Sequence, residues 1–159
     1  MAKILTFDDL YKFFVEQNKN VSFNAKETKT PIVVATTGLS DADIENVKSA
    51  SKAVPVFFTF NMSLGINLLA ELAKKAASFL GDQFDIEIVE KHHNRKLDVP
   101  SGTALLLADG IKSVRDESEY NIGRHENGKR TKNEIGIHAV RMGNEVGTHE
   151  VIFATNSFL

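Results

Sequence analysis

The run Glu90-Lys91-His92-His93-Asn94-Arg95-Lys96-Leu97-Asp98-Val99-Pro100-Ser101-Gly102-Thr103-Ala104 restricts the fold more than any other stretch, because the backbone must change type inside it. Upstream, Ile86 and Ile88 alternate with Glu87, the period-2 pattern of a strand over Phe84 to Lys91. Pro100 excludes helix immediately before it, while Ala104, Leu105, Leu106, Leu107, Ala108, Ile111 and Val114 recur with roughly helical spacing. The chain therefore passes from a strand through a short basic loop into a helix from Thr103 to about Asp116.

Ser101 or Thr103 can accept the unpaired N–H groups of the first helical turn, and that turn presents the positive end of the helix dipole. A carboxylate docked there gains charge-assisted bonds without a dedicated arginine. Gly102 has no side chain to keep a ligand from the backbone, and Arg95 and Lys96 add positive charge one loop away. Taken alone, Ser101 would be an ordinary helix cap and the basic residues a solvated loop. The adjoining histidines shift the balance toward a small anionic ligand.

His92 and His93 have three readings. At the end of a strand they project to opposite sides and would do different work, one as general acid near neutral pH, the other as a substrate or loop contact. A zinc site would need a third ligand from His125, His138 or His149, at no characteristic spacing and with no cysteine in the chain. The expected metal content is none. The third reading is a pair of surface histidines without a task.

Two further strand–loop units precede this run. Pro31-Ile32-Val33-Val34-Ala35-Thr36-Thr37-Gly38 reads as a buried, parallel-type strand ending in small residues. Val54 to Asn61 reads as another strand and loop, followed by a helix from Leu64 to Leu80. Between them Asp41 to Lys52 is a helix, giving a strand–helix–strand unit of the right-handed parallel kind. Later strands are expected at Ile135 to Arg141 and Glu150 to Ala154, with a loop between them and the helix from Thr103. Residues 1–29 hold an amphipathic helix pattern around Phe7, Leu10, Phe13, Phe14 and Val15. Arg124 to Lys132 reads most simply as a solvated basic loop.

With 159 residues, 42% of them hydrophobic, and a net charge of −2, the chain can bury one ordinary core. The charge balance argues against nucleic acid as a partner, and no run of eighteen apolar residues suggests a membrane span. Zero cysteines excludes disulfides and is compatible with a reducing cytosol, so a cytoplasmic location is expected.

The segment Glu90 to Ala104 resembles the signature of the dihydrodipicolinate reductase family: Glu, any residue, His-His, two variable residues, Lys, any residue, Asp-Ala-Pro-Ser-Gly-Thr-Ala. It departs only at Val99. The Ala35-Thr36-Thr37-Gly38 loop, the Phe60-Asn61-Met62-Ser63-Leu64-Gly65 segment and the late strands around Ile135 to Arg141 and Gly143 to Val151 are similar to the family's in the same order. The resemblance implies a partial Rossmann-type parallel sheet over residues 1–61, α/β in class. It implies an α+β, mixed-sheet substrate and tetramerisation domain over residues 62–159. The family's glycine-rich phosphate turn has no counterpart before Thr30, and its C-terminal return helix has none at the other end, so the chain is expected to be truncated at both. A complete reductase would need roughly 250 residues.

The resemblance further implies reduction of 4-hydroxy-tetrahydrodipicolinate by NADH or NADPH, in lysine and diaminopimelate biosynthesis. His92 is then the acid and Lys96 the assisting cation, His93 a substrate contact, and Ser101, Gly102 and Thr103 the carboxylate site. Ala35, Thr36, Thr37, Thr59, Phe60, Asn61 and Met62 line the cofactor, although Phe60 and Met62 fit a plain core equally well. The partners implied are a small dicarboxylate and a homo-oligomer, a homotetramer in the family. The alternatives are a non-catalytic dicarboxylate-binding or oligomerisation remnant and a metal-dependent hydrolase.

Overall fold

A computed structural model of the protein describes residues 25–36 and 39–156. The amphipathic pattern around Phe7 to Val15, and Thr37, lie outside the described residues. The chain divides into two compact units, Met1–Thr59 and Phe60–Leu159, a division two residues earlier than the expected one at 61/62.

In the first unit, β1 (Ile32–Val34) pairs in parallel with β2 (Val56–Phe58), Ile32 opposite Val56 and Val34 opposite Phe58. The connection contains α1 (Asp41–Ser51), whose start is set by a capping box: Ser40 Oγ accepts from Asp43 N–H, and Asp43 accepts from Ser40 N–H at 3.2 Å. Val47 and Ala50 form the buried stripe of this otherwise polar helix.

The second unit begins with α2 (Leu64–Leu80), capped by Ser63 and closed by Gly81 at φ 67°, a left-handed φ that favours glycine. There follow β3 (Asp85–His92), α3 (Gly102–Lys112), β4 (Glu119–Ile122), β5 (Glu134–Arg141) and β6 (Thr148–Ala154). The sheet order is β4-β5-β3-β6; β5 runs parallel to β3 and β4, and β6 runs antiparallel to β3. Ile86 and Ile88 of β3 and Ile135 and Ile137 of β5 point to one face, covered by Leu107, Ala108 and Ile111 of α3 and by Ala73 and Ala77 of α2. Small residues on both helices let α2 and α3 pack closely over this layer.

Three expectations need correction. Residues 119–122 form a strand, not loop; the polar–apolar alternation of Glu119-Tyr120-Asn121-Ile122 is only four residues long, and the ladder that β5 offers fixes it as a strand. The helix from Ser101 stops at Lys112 rather than Asp116, where Val114 and Arg115 donate to Ile111 and Lys112 carbonyls in tighter turns. Arg124 to Lys132 is a solvated loop only in part: residues 125–129 are exposed, whereas Arg124 and Arg130 turn back onto the sheet. Arg130 donates to Glu87 at 3.0 Å, to Asp85 at 3.0 Å and to the Ile86 carbonyl at 2.9 Å, and Arg124 pairs with Glu134. Gly136 makes room for this cluster on the far face of the sheet: a Cβ there would collide with the Glu87 carboxylate, which also binds His138 at 2.8 Å.

Candidate functional site

The inward row of β3 reads Ile86, Ile88, Glu90, His92, so strand alternation carries a carboxylate onto the buried face directly after two core isoleucines. Glu90 is fully buried. Strand register supplies its neighbours. His92 pairs with Arg141 on β5, and Glu90 pairs with His149 on β6. Arg141 grips Glu90 through two nitrogens, each 2.8 Å from a different carboxylate oxygen. The Ser101 N–H donates to Glu90 Oε1 at 3.0 Å, and His92 Nδ1 lies 2.5 Å from Oε2. Burial alone would raise the Glu90 carboxyl; the bonds from Arg141, His92 and Ser101 outweigh it and hold the group below the ordinary glutamate range. Glu90 is therefore an ionised acceptor, and His92 Nδ1 must carry the proton in their bond.

Around this centre, His149 Nε2 lies 3.1 Å from Ser101 Oγ, and its ring meets His92 edge-on with centroids 5.1 Å apart. Burial first, then the neighbouring His92, lowers the His149 imidazole from its ordinary value, against an opposing pull from Glu90. His92 Nε2 has no hydrogen-bond partner among the described residues, and a Cβ on Gly147 would stand 3.0 Å from it. Gly147, at φ 151°, thus lays its backbone against that edge of the ring, where a side chain would not fit.

The expected site residues other than Thr37 can now be located. His92, Ser101, Gly102 and Thr103 come together at the start of α3. Ser101 is the N-cap, its Oγ accepting from Ala104 N–H at 3.2 Å, so its hydroxyl and its amide are both engaged within the protein. The amides of Gly102 and Thr103 have no acceptor among the described residues. Lys96 is close enough to lower the His149 imidazole, but its ammonium pairs with Asp98 at 2.8 Å. His93 Nδ1 is buried without a partner among the described residues. Asn61 donates to Thr103 Oγ1 at 2.9 Å, tying it to the same helix start. Met62 is 61% exposed and so is no core residue, whereas Phe60 is half-buried.

In the first unit, the Thr59 N–H donates to the Val34 carbonyl at 3.0 Å, so β1 and β2 exit side by side. That sets Ala35, exposed, and Thr36 beside Thr59 at the carboxyl ends of parallel strands, where open α/β sheets take nucleotides.

Among the described residues, no group of three or more His, Asp or Glu side chains is arranged to hold a metal ion, and no helix is long and apolar enough to cross a membrane. From the sequence, Glu90, Arg141 and Gly147 have no role at the site, and His149 only that of a candidate third zinc ligand. The available signal was Glu90's place in the inward row: a carboxylate at a core position needs partners, and Arg141 falls in the inward row of its own strand.

The C-terminal family model of dihydrodipicolinate reductase matches residues 65–157 and the N-terminal one residues 15–62. The 4-hydroxy-tetrahydrodipicolinate reductase of Clostridium botulinum is 53% identical over 130 residues, covering 81% of this chain and 52% of the relative. That of Caldanaerobacter subterraneus subsp. tengcongensis is 56% identical over 137 residues, covering 85% and 54%. The chain thus spans about half the length of the curated relatives it matches. A dipicolinate-bound dihydrodipicolinate reductase from Paenisporosarcina sp. TG-14 superimposes with a TM-score of 0.56 at 26% identity, over 90% of this chain and 56% of that one. From its sequence matches and its two-sheet architecture, this chain belongs to the dihydrodipicolinate reductase family.

Proposed function

We propose that this chain takes part in the reduction of 4-hydroxy-tetrahydrodipicolinate to tetrahydrodipicolinate, with NADH or NADPH as reductant, in lysine and diaminopimelate biosynthesis. The observation that carries the reading is an imidazole whose Nδ1 is fixed by a buried carboxylate and whose Nε2 is unpaired, beside a helix start with two unpaired amides. The dipicolinate named with the solved relative supports a small ring dicarboxylate as ligand.

His92 is the proton donor, releasing its Nε2 proton as negative charge develops on the substrate ring. Gly102 and Thr103 receive one carboxylate through their amides and the dipole of α3, with Ser101 shaping the turn. Lys96 contributes positive charge by exchanging Asp98 for the substrate, and His93 is a further substrate contact. The reduced nicotinamide supplies the hydride when bound. By the family resemblance, Ala35, Thr36, Thr37, Thr59, Phe60, Asn61 and Met62 are the residues that would hold it. Residues 1–61 then act as a partial dinucleotide-binding domain and residues 62–159 as the substrate-binding and tetramerisation domain of a cytoplasmic homotetramer.

Isothermal titration with NADH and with pyridine-2,6-dicarboxylate tests this directly. Saturable heat from both is expected. Dicarboxylate binding without NADH binding would favour a non-catalytic dicarboxylate-binding module, and the absence of both would overturn the reading.

A further inference from the structure

We propose that Glu90, with Arg141 as its counter-ion, is the positioning residue of this site: it fixes His92 as the Nδ1–H tautomer, leaves Nε2 as the nitrogen without an internal partner, and ties the imidazole to the first turn of α3. The proposal rests on the reading of His92 as proton donor and adds to it the element that makes His92 usable.

All the accepting directions of the Glu90 carboxylate are filled. Oε1 takes the Ser101 amide and one Arg141 nitrogen; Oε2 takes the other Arg141 nitrogen and His92 Nδ1. An ionised carboxylate only accepts, so Nδ1 must donate, and the imidazole's exchangeable site is Nε2. Arg141 is held in turn by the Asp98 carbonyl at 2.9 Å, on the loop that carries Lys96. One carboxylate therefore sets the positions of the acid, the helix start and the loop between them.

The bidentate guanidinium keeps Glu90 ionised in a site closed to water, where a lone carboxylate would take up a proton and lose its hold on Nδ1. A merely structural ion pair would not need a third donor on an imidazole, nor a glycine opposite that imidazole's other nitrogen. The charged and titratable groups facing His92 are Glu90 from its own strand, Arg141 from β5 and His149 from β6. Of these Glu90 alone contacts Nδ1. When Nε2–H gives its proton to the substrate, the ring is left neutral with its remaining proton already on Nδ1, so no tautomer exchange is needed before reprotonation.

The decisive measurement is the long-range ¹⁵N–¹H correlation spectrum of the full chain, with pH raised until the His92 ring is neutral. The proton is expected on Nδ1, against the preference of free imidazole side chains in water for Nε2. A neutral His92 protonated on Nε2 overturns the proposal, and that result needs no variant. The second arm is Glu90→Met/Arg141→Met, which removes both members of the buried pair together and so avoids stranding one charge. There His92 is expected to revert toward the Nε2–H form, with turnover down by about 10²- to 10⁴-fold. An unchanged tautomer in that variant also overturns the proposal. A wild-type chain holding Nδ1–H but binding no pyridine-2,6-dicarboxylate would overturn the functional reading and leave this assignment standing.

Discussion

At the residue scale, the site distinguishes groups that the sequence sets side by side. His92 and Glu90 share the buried face of β3, while Lys91 between them points the other way and pairs with Glu150 at 2.5 Å. His92→Gln keeps the shape of the ring's near end but removes its titratable proton. Turnover should fall by about two to four orders of magnitude with little change in melting temperature, the span usual for a general acid. A rate near that of the wild type would exclude His92 as donor. The two lysines separate specific from general charge. Lys96 lies on the loop beside His149, and Lys91 lies across the sheet. Lys96→Ala should weaken pyridine-2,6-dicarboxylate binding in a titration, and Lys91→Ala should leave it unchanged. Equal losses would mean that only net charge matters.

At the scale of elements, the helices were readable because their signals are local. Pro100 followed by Ser101 marks a start that the folded chain uses, and α2 runs from Leu64 to Leu80 as expected. β3 and β5 were readable from their isoleucines. What was not readable depends on pairing between distant strands. The alternation in β4 is only four residues long, too short to mark a strand by itself, and Glu90 meets Arg141 only because β3 and β5 run parallel in one particular register. Tertiary pairing also explains the misread basic loop: Arg130 looks like a neighbour of Lys129 in sequence, yet it reaches back to Asp85, Ile86 and Glu87. This yields a contrast between adjacent cations. Arg130→Ala removes a donor shared by Asp85, the Ile86 carbonyl and Glu87 on β3 and should lower the unfolding free energy by about 1–3 kcal/mol in urea titration. Exposed Lys129→Ala should stay within about 0.5 kcal/mol. Similar effects from the two would restore the solvated-loop description.

At the scale of the whole molecule, buried ionisable groups on both faces of the four-stranded sheet determine how the second unit responds to acid. His149 on the helix-covered face is lowered by burial and by His92. Its neutral form is favoured by folding, while the unfolded chain takes up a proton below the ordinary histidine value of about 6.5. Stability from this residue is thus complete above that pH and is lost as pH falls toward its folded-state value. Glu90 and Glu87 are lowered as well. Burial opposes ionisation in both, but Arg141, His92 and Ser101 outweigh it for Glu90, and His138 and Arg130 for Glu87. Their contribution is present above the ordinary glutamate value of about 4.3 and disappears as pH falls through their lower folded-state values. The signs agree, so the urea midpoint should be flat at neutral to mildly alkaline pH and then fall in two successive stages on acidification. His149→Gln removes the group responsible for the first stage and should flatten that part of the curve while leaving the second. A midpoint that rises between neutrality and the carboxylate range, or a first stage that survives in His149→Gln, would mean that the histidine beside the candidate acid is not held neutral by the fold.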